Sequence, residues 1–246
     1  MTHSHTTLSG HARLWGAPAL AGLITALTMF APISAGAATP TARSLVERAL
    51  ADAKASRWVH ETVDIYHGGV VIESSHDVIG VSGGEQESIL SNGGTSELLA
   101  LDAMKTLYVL ADAAALTTTY SMSSVDATTF SNQWLELTPS SSIYDSVAFA
   151  TTLASDFSQV RFAGRLHLGG EGVVAGKRVR VIAGTVPAID GAPSFKGTLD
   201  VTANGRALPV RFHEIHGSTV IVVTWSKWGH GTSLTAPTGA VAYPTS

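Results

Sequence analysis

The stretch from Gly197 to Pro237 constrains the fold more than any other part of the chain. Two alternating runs, Thr198–Thr202 and Leu208–Phe212, flank Asn204-Gly205. Asn-Gly accepts positive φ at both central positions of a tight turn, so this spacing predicts a hairpin. A third run, Val220–Trp225, follows the turn residues His216-Gly217-Ser218. Three short runs joined by short turns make an antiparallel meander, because parallel neighbours need long crossovers.

The same pattern fills most of the chain upstream. Trp58–Tyr66, Val70–Ser75, Val78–Ser82, Gln86–Leu90, Glu97–Leu101 and Thr106–Leu110 read as strands separated by Gly, Asn and polar residues. Gln133–Leu137, Val160–Leu168 and Arg178–Ala183 continue the series. Helical periodicity is confined to a few places. Ala42, Leu45, Val46, Ala49, Leu50 and Ala53 form one stripe, predicting a helix over 40–56 with Thr39 as N-cap and Pro40 at its first position. Ser142-x-x-Asp145 predicts a second helix running to about Phe157. Asp112–Ser131, rich in Ala, Ser and Thr, reads as a loop with a short helix. Pro237–Ser246 carries few structure signals. The expected class is α+β: a strongly curved antiparallel half-barrel of about ten strands, since so large a sheet curls or closes. Helices would cover its concave face, which a one-sided sheet must bury.

The N-terminus reads differently. His11 and Arg13 precede an apolar run from Leu14 to Ile33, and Ala35-Gly36-Ala37 supplies small residues for a peptidase. This predicts a secretory signal peptide cleaved after Ala37, leaving 38–246 as a single domain outside the cytoplasm. The run is also nearly long enough to span a bilayer, so a retained anchor is the alternative. The 15 basic residues do not cluster and are outnumbered by 19 acidic ones, which argues against a nucleic-acid partner. The chain has no cysteine. Disulfides, thiolate metal sites, cysteine nucleophiles and attachment of a lipid anchor at cysteine are therefore excluded.

No pattern assembles reactive chemistry. His213 and His216 are three apart, which on a strand puts them on opposite faces. There is no Gly-x-Ser-x-Gly and no Ser-x-x-Lys. The pairs Gly68-Gly69, Gly83-Gly84, Gly93-Gly94 and Gly169-Gly170 read as turns between strands. Asp64, Glu73 and Asp77 read as solvated strand positions, and the tryptophans as core. The expectation is a protein that is not an enzyme and uses no cofactor and no metal. Alternation does single out inward-facing residues. Val179 and Val181 share one face of their strand, as do Leu199 and Val201, and Val210 and Phe212. These six are candidates to line a ligand cavity; alternation alone allows a solid core equally.

Several short motifs carry a family resemblance. They are Asn132-Gln133-Trp134-Leu135-Glu136-Leu137, Val173-Val174-Ala175-Gly176-Lys177-Arg178-Val179, Leu208-Pro209-Val210-Arg211 and Ser226-Lys227-Trp228-Gly229. With the N-terminal helix and the meander, the chain resembles the actinobacterial LppX/LprAFG lipoprotein family, related in architecture to the LolA/LolB carriers. The resemblance implies a bent sheet with helices packed into its mouth, a hydrophobic cavity between them, and a lipid or other hydrophobic small molecule as partner. It further implies a cell-envelope role; the chain is expected to act as a monomer, with any transient envelope partner left unidentified. One departure is plain: the cysteine that family members lipidate is missing. The alternative is a structural or protein-interaction domain that keeps the fold with a filled core.

Overall fold

A computed structural model of the chain describes residues 40–101, 105–148, 152–187 and 194–244. The expected signal peptide and its cleavage site lie outside these residues. The first helix, α1 (Ala42–Lys54), buries the predicted stripe of Ala42, Leu45, Val46, Ala49 and Ala53. Its N-cap is Thr41, whose side chain accepts from the Ser44 backbone N–H. The cap thus falls two residues later than the Thr-Pro pattern suggests.

Eleven strands follow one another through a single sheet, and a twelfth joins its edge. They are β1 (Trp58–His67), β2 (Val70–Gly80), β3 (Gly84–Leu90), β4 (Thr95–Leu101), β5 (Thr106–Ala111) and β6 (Trp134–Leu137). After them come β7 (Ala163–Val174), β8 (Lys177–Val186), β9 (Phe195–Thr202), β10 (Pro209–His216), β11 (Thr219–Ser226) and β12 (Val241–Ala242). The order across the sheet is β12-β6-β5-β4-β3-β2-β1-β11-β10-β9-β8-β7. Every pairing is antiparallel except β12 with β6. The sheet is open and curved, a half-barrel, as expected.

Four expectations need correction. Val70–Ser75 and Val78–Ser82 are one strand, because the polar residues between them have partners across the ladder. His76 shares a hydrogen bond with Thr62 at 3.3 Å and Gln86 donates to Asp77 at 3.0 Å, and the strand ends at Gly80. Gly169-Gly170 is no turn; it lies inside β7, where the register with β8 shifts between Leu168 and Glu171. The single helix expected over 142–157 is two, α4 (Tyr144–Ala148) and α5 (Leu153–Asp156). Thr152 breaks it: its backbone is extended, it bridges to Gly80, and it starts α5 with its own capping box to Ser155. Between β5 and β6 there are two short helices, α2 (Ala113–Thr118) and α3 (Ser124–Phe130), capped by Asp112 and Ser123.

The turns reverse the local expectation instructively. Asn204-Gly205 sits in a six-residue loop, Ala203–Leu208, and only Gly205 has positive φ. Thr202 holds that loop shut, its hydroxyl donating to the Arg206 carbonyl at 2.6 Å and accepting from the Leu208 N–H. Meanwhile the tight β7–β8 turn places Ala175 at φ 48° and Gly176 at φ 75°. An alanine there is strained by its Cβ, whereas asparagine tolerates this region. Ala175→Asn, creating Asn-Gly at a genuine tight turn, is expected to raise stability by about 1 kcal/mol, read as a higher urea midpoint.

The C-terminal segment after β11 is a strap, not a loose end. It must cross seven inter-strand steps, about 34 Å, and its fourteen residues before β12 reach at most ~46 Å. Gly229 donates to the Trp58 carbonyl at 2.8 Å, Gly231 lies against the Trp58 ring, and Leu234 lies near Gly83. Tyr243 then bonds the Glu136 carbonyl through its N–H and the Tyr120 carbonyl through its hydroxyl. The backbone pairing covers an edge that β6 would otherwise expose.

Candidate functional site

The concave face is built from cross-strand rows. One row runs Leu135, Val109, Leu98, Gln86, Asp77, Glu61, Trp225 from β6 to β11. The next includes Ser96, Ser88, Ser75, Val63, Val223, Phe212, Leu199 and Ile182. The first is apolar at both ends and polar in the middle; the second is polar from Ser96 to Ser75 and apolar from Val63 onward. The face therefore carries two apolar clusters with a polar band between them.

The first cluster joins α1 and α5 to β8–β11, with Leu45, Phe157, Ile182, Leu199, Val201, Phe212 and Trp225 buried in it. Phe157 stacks on Trp225 at 5.1 Å and on Trp228 at 5.6 Å between ring centroids. Side-chain bonds hold α1 down at both ends. Arg43 donates to the Gly164 carbonyl at 2.7 Å, and Asp52 accepts from the Ala207 N–H at 3.1 Å while its carbonyl accepts from Arg206. The second cluster joins α2, α3 and α4 to β4–β6, with Leu98, Leu107, Leu116, Tyr120, Leu135, Tyr144 and Tyr243.

Asp112 fastens this second lid to the sheet. Its carboxylate accepts from the N–H groups of Ala115 and Thr95, each at 2.8 Å. Burial pushes the carboxyl pKa up, but these bonds outweigh it and the net direction is down. A depressed pKa means stability that is full above the ordinary carboxylate range and is lost as pH falls through the lowered folded value. Asp112→Ala is expected to cost about 1 kcal/mol at neutral pH, while Asp112→Asn keeps the cap. Denaturant melts at neutral and acid pH check this: the loss for Asp112→Ala should shrink in acid.

The polar band corrects one sequence expectation. Asp77 is 3% exposed, not solvated, and faces Glu61, which is 4% exposed. Glu61 accepts the Trp225 indole N–H at 2.5 Å. Sequence reading missed Glu61 because it sits between polar His60 and Thr62, and nothing local shows a buried partner for a carboxylate. Its signal was that Val59, Glu61 and Val63 share one parity.

Of the six candidate lining residues, Leu199, Val201 and Phe212 belong to the first cluster. Val210 is wholly buried beside the bulge between Pro209 and Arg211. Val179 and Val181 pair with Thr202 and Asp200, so they lie on the opposite face from Leu199; the β8 residues in the cluster are Ile182 and Val186. The structure thus brings three of the six together under α1.

On the outer face an open groove of about 380 Å3 is lined by His60, Thr62, His76, Glu85, Glu87 and Lys227 among others. Burial and nearby Lys227 lower the His60 pKa, and burial together with Glu85 and Glu87 raises that of Glu97. Among the described residues, no three His, Cys, Asp or Glu side chains converge as a metal site.

An open antiparallel half-barrel with short capped helices seated on its concave face defines the class of protein. Solved structures similar to it include LprF from Mycobacterium bovis, 17% identical with a TM-score of 0.56 over 80% of this chain and 97% of that one. The Mycobacterium tuberculosis lipoprotein LppX is also 17% identical, with a TM-score of 0.54 over 79% of this chain and 98% of that one. The resemblance seen in the short motifs therefore holds at the level of the fold. Their strands are β6, the β7–β8 turn, β10 and the end of β11. No protein-family model matches the chain, and no curated protein does.

Proposed function

We propose that this is an exported, non-enzymatic protein of the bacterial cell envelope that binds a lipid or other hydrophobic small molecule between its sheet and its helices. In this reading the signal peptide is cleaved after Ala37, and residues 38–246 act as one monomeric domain without a lipid anchor. The observation that carries it is the concave face, whose two apolar clusters are covered, among the described residues, mainly by separate helices that are not part of the sheet. Such lids can lift without unzipping the sheet. The similarity in fold to LprF and to the mycobacterial lipoprotein LppX supports an envelope setting. Leu199, Val201 and Phe212 are the proposed lining under α1.

A second reading, a scaffold with a filled core, is favoured by the closure of the same place: Leu199 and Val201 are 0% exposed. One substitution separates the two. If α1 lifts to admit a ligand, Val201→Trp should occupy the ligand's space, abolish uptake of a long-chain fluorescent lipid and cost less than about 1 kcal/mol. If the interior is solid, the ring must displace neighbours at a cost of ~1–3 kcal/mol or more. A parent protein that takes up no lipid, and carries none by native mass spectrometry when purified from its source, would overturn the binding role.

A further inference from the structure

We propose that the end of the sheet bearing the β1–β2 and β10–β11 hairpin tips is a docking surface for a lipid bilayer. Val70, Val71, Ile89 and Ile215 are 67%, 45%, 56% and 44% exposed, and all lie at this end. Ile215, Val220, Tyr66 and Val71 form one cross-strand row on the outer face, which none of the helices among the described residues covers. The tips are fixed. Gly68 donates to the Ser218 carbonyl at 3.0 Å, tying one hairpin to the other. Such tight, paired turns cannot withdraw their valines from solvent, and an exposed apolar patch of this kind marks a contact surface.

The occupant follows from where the rest of the chain attaches. The row continues through Lys196 and Thr185 to Ala163. The next residue, Gly164, accepts from Arg43 in the first turn of α1. The other end of α1 is fastened to the Arg206–Ala207 loop, at the opposite end of the sheet. The chain preceding α1 thus joins the fold at the patch end. That chain contains the apolar run Leu14–Ile33, and residues 34–40 between the run and the fold span at most ~25 Å. Whenever the run occupies a membrane, as a leader in transit or as a retained anchor, the patch is held at that membrane's surface. The charged and titratable groups nearest the row are Lys196 within it, Arg165 two residues beyond Ala163, His213, His67 at the tip bonded to Thr219, and Asp64 bonded to Ser74, a set of mixed sign. Contact is therefore through apolar side chains entering the interface, with little dependence on lipid charge. This inference holds whatever occupies the interior.

The absence of cysteine makes the test clean. Val70→Cys, Ile215→Cys and Val173→Cys in the full chain would each carry one environment-sensitive fluorophore. Val173 is 70% exposed at the opposite end and serves as the control. With phosphatidylcholine vesicles, with or without phosphatidylglycerol, the labels at positions 70 and 215 should shift to the blue. Lipids carrying a quencher in the acyl chain should quench them several-fold more than the label at 173. Equal response at all three sites would overturn the proposal. So would a shift at 70 and 215 that needs only higher protein concentration, since that would identify a second copy as the occupant.

Discussion

Trp225→Ala is expected to lower the unfolding free energy by about 3–5 kcal/mol, the usual cost of deleting a large buried ring. Trp225 is 2% exposed and performs two tasks at the border between the first apolar cluster and the polar band. Its ring stacks on Phe157, which is the C-cap of α5, and so links the sheet to its lid. Its indole N–H satisfies Glu61. Removing it leaves both a cavity and a buried carboxylate without that donor, and the second loss adds to the first. Trp225→Phe drops the donor but keeps most of the buried ring, so it should cost less. Combining each change with Glu61→Gln in a double-mutant cycle of urea melts separates the terms. If Trp225→Ala costs under ~1 kcal/mol, in the range of surface changes, then Trp225 does not hold lid and sheet together.

Gly83→Val should be nearly as damaging for a different reason. Gly83 closes the turn between β2 and β3, its carbonyl accepting from the Gly80 N–H at 2.8 Å. A Cβ at Gly83 would stand 2.3 Å from the Ala100 carbonyl oxygen and 3.5 Å from Leu234 of the strap. The first of these is backbone, which no rotamer change can move aside. The turn must shift away from β4 and the strap, at an expected cost of about 3 kcal/mol. Val81 in the same turn is 63% exposed, so Val81→Ser is a control expected to stay within ~0.5 kcal/mol. Equal stability of the two variants, measured by thermal and urea melts, would show that the turn has room.

These two sites lie on either side of what composition and spacing can say. Periodicity was enough to place α1, because Leu45, Val46, Ala49 and Ala53 repeat at the helical period and all bury. Alternation and turn residues were enough for most strands and for the antiparallel pairing of those joined by short turns, though not for β1 with β11 or β12 with β6. The missing cysteine alone ruled out disulfide stapling. Those are local or compositional facts, and local chemistry decides them.

Everything that depends on which face a strand presents needed the tertiary structure. Val179 and Val181 alternate as convincingly as Leu199 and Val201, yet pairing with Thr202 and Asp200 puts them on the other side of the sheet. Asp77 looked like a solvent position because nothing in its own segment shows that it faces Glu61 across β1 and β2. Asn204-Gly205 carries the strongest hairpin signal in the chain, but the side chain of Thr202 closes a longer loop around it. Ala175-Gly176 carries a weaker one and makes the tight turn. The strap from β11 to β12 was invisible because its partners, Trp58, Glu136 and Tyr120, are scattered over the earlier chain. Strand parity has a period of two, so one bulge or one unforeseen partner reverses every assignment beyond it. That is why the sequence by itself determined most of the elements and the class of fold, while long-range register decided which residues meet beneath the helices.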